Sequence, residues 1–414
     1  MLYLLVVLWV CCAGLLIAGV VEQRNHYRNL DRIPHRVLVN GIRGKSSITR
    51  LCAGALRGGG LSVVAKTTGT AARFIFPDST EEPVIREFGI ANVVEQIGIV
   101  RRAAAYHPDA LVIECMAIAP ALQEINQSKL IRATIGVLSN VREDHVAEMG
   151  PTLDHIARAL SRSMPAGGVC VTAERERLEI LREEASKRNC RLVAADPETV
   201  TDEELAGFGW FTFKENVAIA LAVAAELGID RRDALAGMWA APPDPGVLSV
   251  DRVWFLDKRV RFANIFAAND PQSTLMNIRQ LERLGLVSRP YTMVINCRPD
   301  RVERNGQMGA LAGEVEPDSV MLIGEPTRSA RLAVPAALQD RIVDLGGELS
   351  PYRLLCGVLG ATADGASILA VGNIHGQGEV LIDGLATLPG WTPETPAASG
   401  PETPAATGLG SVAC

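Results

Sequence analysis

The sequence predicts an α/β protein of two domains, each built around a parallel sheet, behind one N-terminal transmembrane helix. Three observations carry this. Short β-branched runs alternate with helical patterns along the body, the pattern of strands covered on both faces and linked by crossover helices. Met1 to Val21, MLYLLVVLWVCCAGLLIAGVV, contains no charged side chain. Ala240–Gly246, AAPPDPG, breaks the body with three prolines, which neither a helix nor a central strand tolerates.

Length and composition agree. A chain of 414 residues exceeds one ordinary core of about 100–200 residues. With 48% hydrophobic and 21% charged residues, it lies far from the polar profile of a disordered chain. A net charge of −6 is no footprint for DNA or RNA, whose binders carry a basic surplus. The cysteines are scattered without a C-x-x-C pair, so thiols in a reducing compartment are expected rather than disulfides or a zinc site.

Taken in order, residues 1–21 match the roughly 20 residues a helix needs to cross a bilayer core. They lack the basic leader and A-x-A site of a cleaved signal peptide. Arg24, Arg28, Arg32 and Arg36 follow, opposed only by Glu22 and Asp31. This positive-inside bias predicts a single-pass protein of the plasma membrane with its body in the cytoplasm. Residues 22–35 read as a basic juxtamembrane linker. The first domain, 36–241, carries candidate strands Arg36–Asn40, Leu61–Lys66, Ala110–Glu114, Thr134–Ser139 and Gly168–Thr172, and a helix over Lys214–Gly228. The second domain, 242–387, carries strands near Tyr291–Asn296, Ser319–Gly324 and Ser367–Gly372. From 388 to 414 the chain turns to Pro, Thr, Ala and Gly, with PETPAA twice, and reads as a disordered tail.

The most informative stretch is Val37–Arg50, VLVNGIRGKSSITR. A strand runs into a glycine-rich turn, then Lys45 and Ser46 open a helix. Gly41 and Gly44 let the backbone approach an anion, and a helix N-terminus offers free N–H groups. Lys45 neutralises β/γ-phosphate charge, and Ser46 can hold Mg²⁺. Arg43 and Ser47 fall in the same nucleotide-binding segment. A full P-loop has four residues between its glycines, whereas only Ile42 and Arg43 stand here. Glu114 ends an apolar strand at the carboxyl edge of the sheet, where ligand sites collect. It is a candidate metal ligand, or a solvated or capping carboxylate.

The shortened loop is one of a series: KTTGT (Lys66–Thr70), ECMA (Glu114–Ala117), NVREDH (Asn140–His145), MGPTLD (Met149–Asp154), APPDPG (Ala241–Gly246), AANDPQST (Ala267–Thr274), NCRPDR (Asn296–Arg301) and GNIHG (Gly372–Gly376). In this order they closely resemble the PgsB/CapB family of poly-γ-glutamate synthase ligase subunits, from the membrane segment to about residue 385. That family belongs to the Mur ligase superfamily. The resemblance implies a Mur-ligase-like P-loop ATPase domain followed by a smaller, Rossmann-like α/β domain. It also implies an ATP- and Mg²⁺-dependent ligase that forms an amide by way of an acyl phosphate.

By the same resemblance Lys45, Glu114 and His145 are catalytic, with Ser46, Glu114 and His145 on metal. His145 could equally be a loop histidine bonded to backbone, with Asp144 as an alternative ligand. Asn216 is similar to an adenine-reading asparagine, or caps its helix. Asn269 and Asp270 resemble the segment that reaches the ribose and phosphates. Arg298 and Arg301 are candidates for phosphate or anionic glutamate, or for surface pairing. Thr68 offers donors near the nucleotide. Asn140 is expected to orient the loop or the nucleotide. One departure stands out: Gly150–Pro165 contains no lysine, where several Mur ligases carry a carbamylated one. A bridging carboxylate must come from elsewhere, with Asp154 the candidate.

The implied partners are glutamate, the growing poly-γ-glutamate chain, the membrane subunits PgsC and PgsA and the short PgsE. A homo-oligomer is also compatible. Two other functions compete: another Mur-type ligase acting on a peptidoglycan precursor or folate, and a membrane-tethered P-loop ATPase that makes no amide.

Overall fold

The computed structural model describes residues 2–68, 72–85, 92–208, 210–244, 248–266, 268 and 270–390. The chain forms two compact units, Met1–Pro245 and Gly246–Cys414.

In the first unit, helix α1 (Leu2–Asp31) leads into an eight-stranded sheet. Its strands are β1 (His35–Asn40), β2 (Val63–Lys66), β3 (Arg73–Ile75), β4 (Glu81–Pro83), β5 (Ala110–Glu114), β6 (Ile135–Leu138), β7 (Val169–Thr172) and β8 (Arg191–Ala194). Their order is β4-β3-β2-β5-β1-β6-β7-β8. Neighbours are parallel except along the β2-β3-β4 edge. Strand β1 is therefore central, with β5 on one side and β6 on the other. The chain runs from β1 out to β2 on one side and, after β5, crosses to β6 on the other, opening a crevice at the carboxyl end of β1.

Helix α2 (Lys45–Gly58) and the helix Lys214–Glu226 join one core with Val37, Val39 and Val112. On the other side, α3 (Glu95–Ala104) packs with Leu38, Leu111 and Ile113. After β5, α4 (Pro120–Ile125) passes into a π-helical turn, Asn126–Ile131. The buried thiols Cys52, Cys115 and Cys170 are free, and burial pushes Cys52 up to about 12.

Helix α1 is long and apolar enough to cross a membrane. It does not stop at Val21: the stretch read as a juxtamembrane linker is helical as far as Asp31. Its last turn is anchored, with Leu30 and Ile33 buried in the same cluster as Leu38 and Phe74. Each such burial contributes roughly 1.5–3 kcal/mol. Arg36 Nη1 donates to the Leu30 and Ile33 carbonyls, satisfying acceptors at the helix end. Pro34 then prevents the helix from continuing.

The second unit holds β9 (Ser249–Phe255), β10 (Lys258–Asn264), β11 (Tyr291–Cys297), β12 (Ser319–Gly324), β13 (Ile342–Gly346) and β14 (Ser367–Gly372). Their order is β13-β12-β11-β14-β10-β9, parallel except for the β9-β10 hairpin. Phe262, Val294, Met321 and Ile368 are among its core residues.

Candidate active site

The carboxyl ends of β1, β2, β5 and β6 supply the sequence-predicted residues. After Asn40 the chain turns through Gly41 at φ 128° and Gly44 at φ 78°, values that L side chains rarely adopt. The turn is also crowded. A Cβ on Gly41 would lie 2.0 Å from Ser139 Oγ, and one on Gly44 would lie 3.3 Å from Asn216 Oδ1.

Between the glycines, Arg43 is held through its backbone. Its N–H donates to Asn140 Oδ1 at 3.0 Å, while its carbonyl accepts from Asn140 Nδ2 at 3.1 Å and Ser139 Oγ at 2.8 Å. Its guanidinium pairs with Asp144 at 3.1 Å. Asn140 thus orients the loop. Helix α2 starts at Lys45, so the N–H groups of Lys45, Ser46 and Ser47 belong to a first turn without intrahelical partners. Lys45 Nζ folds over the loop, donating to the carbonyls of Gly41 at 2.9 Å and Ile42 at 3.2 Å. Main-chain donors and an ammonium group are gathered where an anion can be held.

Glu114 is 3% exposed. Its Oε2 accepts from Ser46 Oγ at 2.8 Å and from the Thr68 N–H at 2.7 Å. Thr68 therefore meets the site through its backbone. A hydroxyl oxygen beside a carboxylate suits Mg²⁺, which takes one or two protein oxygens and keeps water or phosphate in its remaining positions. His145 stands at the start of the short helix Val146–Met149. It occupies a left-handed backbone position at φ 48°, 3.8 Å from Asp144 and 4.0 Å from Glu148. Among the described residues no group of three or more His, Cys, Asp or Glu side chains is gathered to hold a metal. Asp154 turns outward and lies 3.8 Å from Arg177.

Asn216 stands in the first turn of its helix, where the residue at the cap is Phe213 and no side chain caps. Its side chain faces Gly44 instead. Sequence reasoning missed the residues that brace the loop from below. Asn40 Nδ2 donates to Gln123 Oε1 at 2.8 Å and to Ser163 Oγ at 2.9 Å, tying β1 to α4. Lys66, fully buried at the end of β2, pairs with Glu95 at 2.7 Å. A lysine inside a strand that is otherwise Val and Ala was the available signal for a buried pair. Cys115, beside Glu114, stays a neutral thiol because burial raises its pKa.

In the second unit, Asn269 lies outside the described residues. Asp270 caps the helix Pro271–Arg283, accepting from the Ser273 N–H at 2.8 Å. Arg298 donates to Asn373 Oδ1 at 3.1 Å and pairs with Asp300 at 3.0 Å. Arg301 lies 3.7 Å from the same Asp300. Asn296 Nδ2 donates to the His375 carbonyl at 2.9 Å. The NCRPDR and GNIHG segments therefore meet at the carboxyl ends of β11 and β14.

Residues 250–388 match the family model described as the poly-gamma-glutamate synthase CapB C-terminal domain. Over 381 residues the chain is 39% identical to PGA synthase CapB of Bacillus subtilis (strain 168), covering 90% of this chain and 96% of that protein. The chain belongs to the CapB family. A second CapB, the capsule biosynthesis protein of Bacillus anthracis, is 38% identical over 395 residues, 92% of this chain and 83% of that one.

Among solved structures, a bifunctional folylpolyglutamate synthase/dihydrofolate synthase with Mn, AMPPNP and L-glutamate bound superposes with a TM-score of 0.62. The identity is 16%, with 87% of this chain and 92% of that chain covered. MurF from Acinetobacter baumannii gives a TM-score of 0.60 at 14% identity, covering 88% and 79%. The CapB chain thus has the fold shared by Mur ligases and folylpolyglutamate synthases.

Proposed function

We propose that the chain is the ATP-dependent ligase that joins glutamate through its γ-carboxyl group into poly-γ-glutamate. One observation carries this reading: in a CapB family member, Lys45, Ser46 and Glu114 converge on a phosphate-shaped loop at the crevice of a Mur-ligase fold. Amide formation from a free carboxylate in water is uphill, so the carboxylate must be activated. Its oxygen attacks the γ-phosphorus of ATP, the bridging P–O bond breaks, and ADP leaves. The amine of a second glutamate then attacks the acyl carbon. Phosphate departs with one former carboxylate oxygen, and the nitrogen loses a proton.

The protein's part is mainly electrostatic. Lys45, Arg43 and the first N–H groups of α2, including those of Ser46 and Ser47, hold the phosphates. Asn216, whose side chain faces Gly44, is assigned to the adenine. Mg²⁺, held by Ser46 and Glu114, would offset phosphate charge as the carboxylate approaches, and His145 is assigned to a second Mg²⁺. Asn269 and Asp270 are assigned to the ribose and phosphates, and Arg298, Arg301 and Thr68 to anionic glutamate.

The apolar part of α1 is assigned as a single membrane span with the ligase units in the cytoplasm, consistent with the arginines that follow it. A lone helix forms no pore for a polyanion, so export requires membrane partners, assigned as PgsC, PgsA and the short PgsE. The test is to incubate membranes containing this chain, with and without those partners, with ATP, Mg²⁺ and labelled L- or D-glutamate. High-mass labelled polymer is expected. ATP turnover independent of glutamate, without polymer, would identify an ATPase of another kind.

A further inference from the structure

A cavity of about 230 Å³ lies where α1 meets the body of the first unit. Glu22, Gln23 and His26 line it from α1, Ile97 from α3, and Lys129 and Leu130 from the π-helical turn. Its level along α1 is defined by sequence: Glu22 is the first charged residue after the apolar run. In a membrane-spanning α1 that level is the headgroup layer.

The polar groups have a definite sense. His26 is 4% exposed, and its Nε2 lies 2.9 Å from the Leu130 carbonyl. A carbonyl only accepts, so Nε2 carries the hydrogen and Nδ1 presents a lone pair. That Nδ1 is buried, and among the described residues no atom hydrogen-bonds to it. Glu22, one helical turn earlier on the same face, adds a carboxylate. Lys129, exposed at the rim, supplies the positive charge. The cavity therefore sets one anionic acceptor, Glu22, and one cation, Lys129, beside a buried imidazole.

We propose that this cavity binds the headgroup of an aminophospholipid. The ammonium lies at the Glu22 carboxylate, and the phosphate lies toward Lys129. The headgroup must donate N–H bonds, which a choline group cannot do. A headgroup with only negative charge would meet Glu22 unfavourably. This inference rests on the reading that α1 crosses a membrane.

The experiment uses the full chain in detergent, with phosphatidylethanolamine, phosphatidylcholine or phosphatidylglycerol added at equal concentration. Retained lipid is counted by native mass spectrometry. Wild type should keep one phosphatidylethanolamine in preference to the others. Glu22→Gln and Lys129→Met, both surface changes, should each lower that retention about tenfold, as expected for loss of a charge-assisted bond. Equal retention of ethanolamine and choline lipids, or retention unchanged in both variants, overturns the site. Displacement by equimolar free phosphoethanolamine also overturns it, in favour of a soluble ligand. A parallel flotation with phosphatidylcholine vesicles separates the two readings: a chain that floats without ethanolamine preference loses only the headgroup site. A chain that floats with no vesicle loses the membrane span as well.

Discussion

Ser46 Oγ donates a 2.8 Å hydrogen bond to Glu114 Oε2, joining residues 68 apart in sequence. The same carboxylate oxygen accepts the Thr68 N–H. Three strand ends are thereby drawn to one oxygen. Replacing Glu114 by Gln keeps the shape but removes the charge proposed above to hold a cation. Half-maximal ligation should then need more than about tenfold more Mg²⁺, since even outer-shell changes at metal sites cost 10–100-fold. A Mg²⁺ titration of polymer formation measures this, and an unchanged midpoint would remove Glu114 from the metal site.

Lys45 Nζ donates to the loop carbonyls of Gly41 and Ile42. Lys45→Ala should lower ligation by at least about 10²-fold through lost phosphate stabilisation. Thermal unfolding should move little, because no core contact is deleted. Normal ligase activity in this variant would sink the nucleotide assignment.

The order of bond making is open to isotopic test. With ¹⁸O in the γ-carboxylate that is activated, on chain end or monomer, one label should appear in released phosphate, with ADP as the other product. Unlabelled phosphate, or AMP and pyrophosphate, would rule out activation as an acyl phosphate.

His26 predicts a pH effect on the junction. Burial lowers its pKa below 6.5, outweighing the hydrogen bond to Leu130 and the charge of Glu22. The folded state thus binds its proton less readily than the unfolded state. The contribution to stability is complete above 6.5 and falls as pH drops through and below that value. Hydrogen exchange around Leu130 should be faster at pH 5.5 than at 7.5 after correction for intrinsic rates. His26→Gln should flatten the difference.

Much of this was legible in sequence because local signals coincided. Ala110–Glu114, Ser319–Gly324 and Ser367–Gly372 are strands with the predicted bounds, since each apolar run is bounded by polar or turn residues. The glycine-rich turn of Gly41 and Gly44 and the helix start at Lys45 and Ser46 were readable because they are contiguous in the chain. The bracing of that loop was not. Asn40, Gln123 and Ser163 meet only after three elements pack, and nothing in their spacing announces it. Asp270 shows the opposite limit: it was read for nucleotide contact, and the same Asp-Pro-x-Ser pattern also makes a helix cap.

The unbroken α1 makes the angular phase of the ligase a property of the sequence. Its 30 residues run from the apolar end to Leu30 without a swivel. One residue inserted between Val21 and Glu22 would lift the body by only about 1.5 Å, yet rotate it by about 100° around the helix axis. Seven inserted residues would bring it back to within about 20° of the original heading. Any membrane neighbour that must face the crevice of the first unit would therefore tolerate insertions periodically, in step with the helix, rather than in proportion to their length.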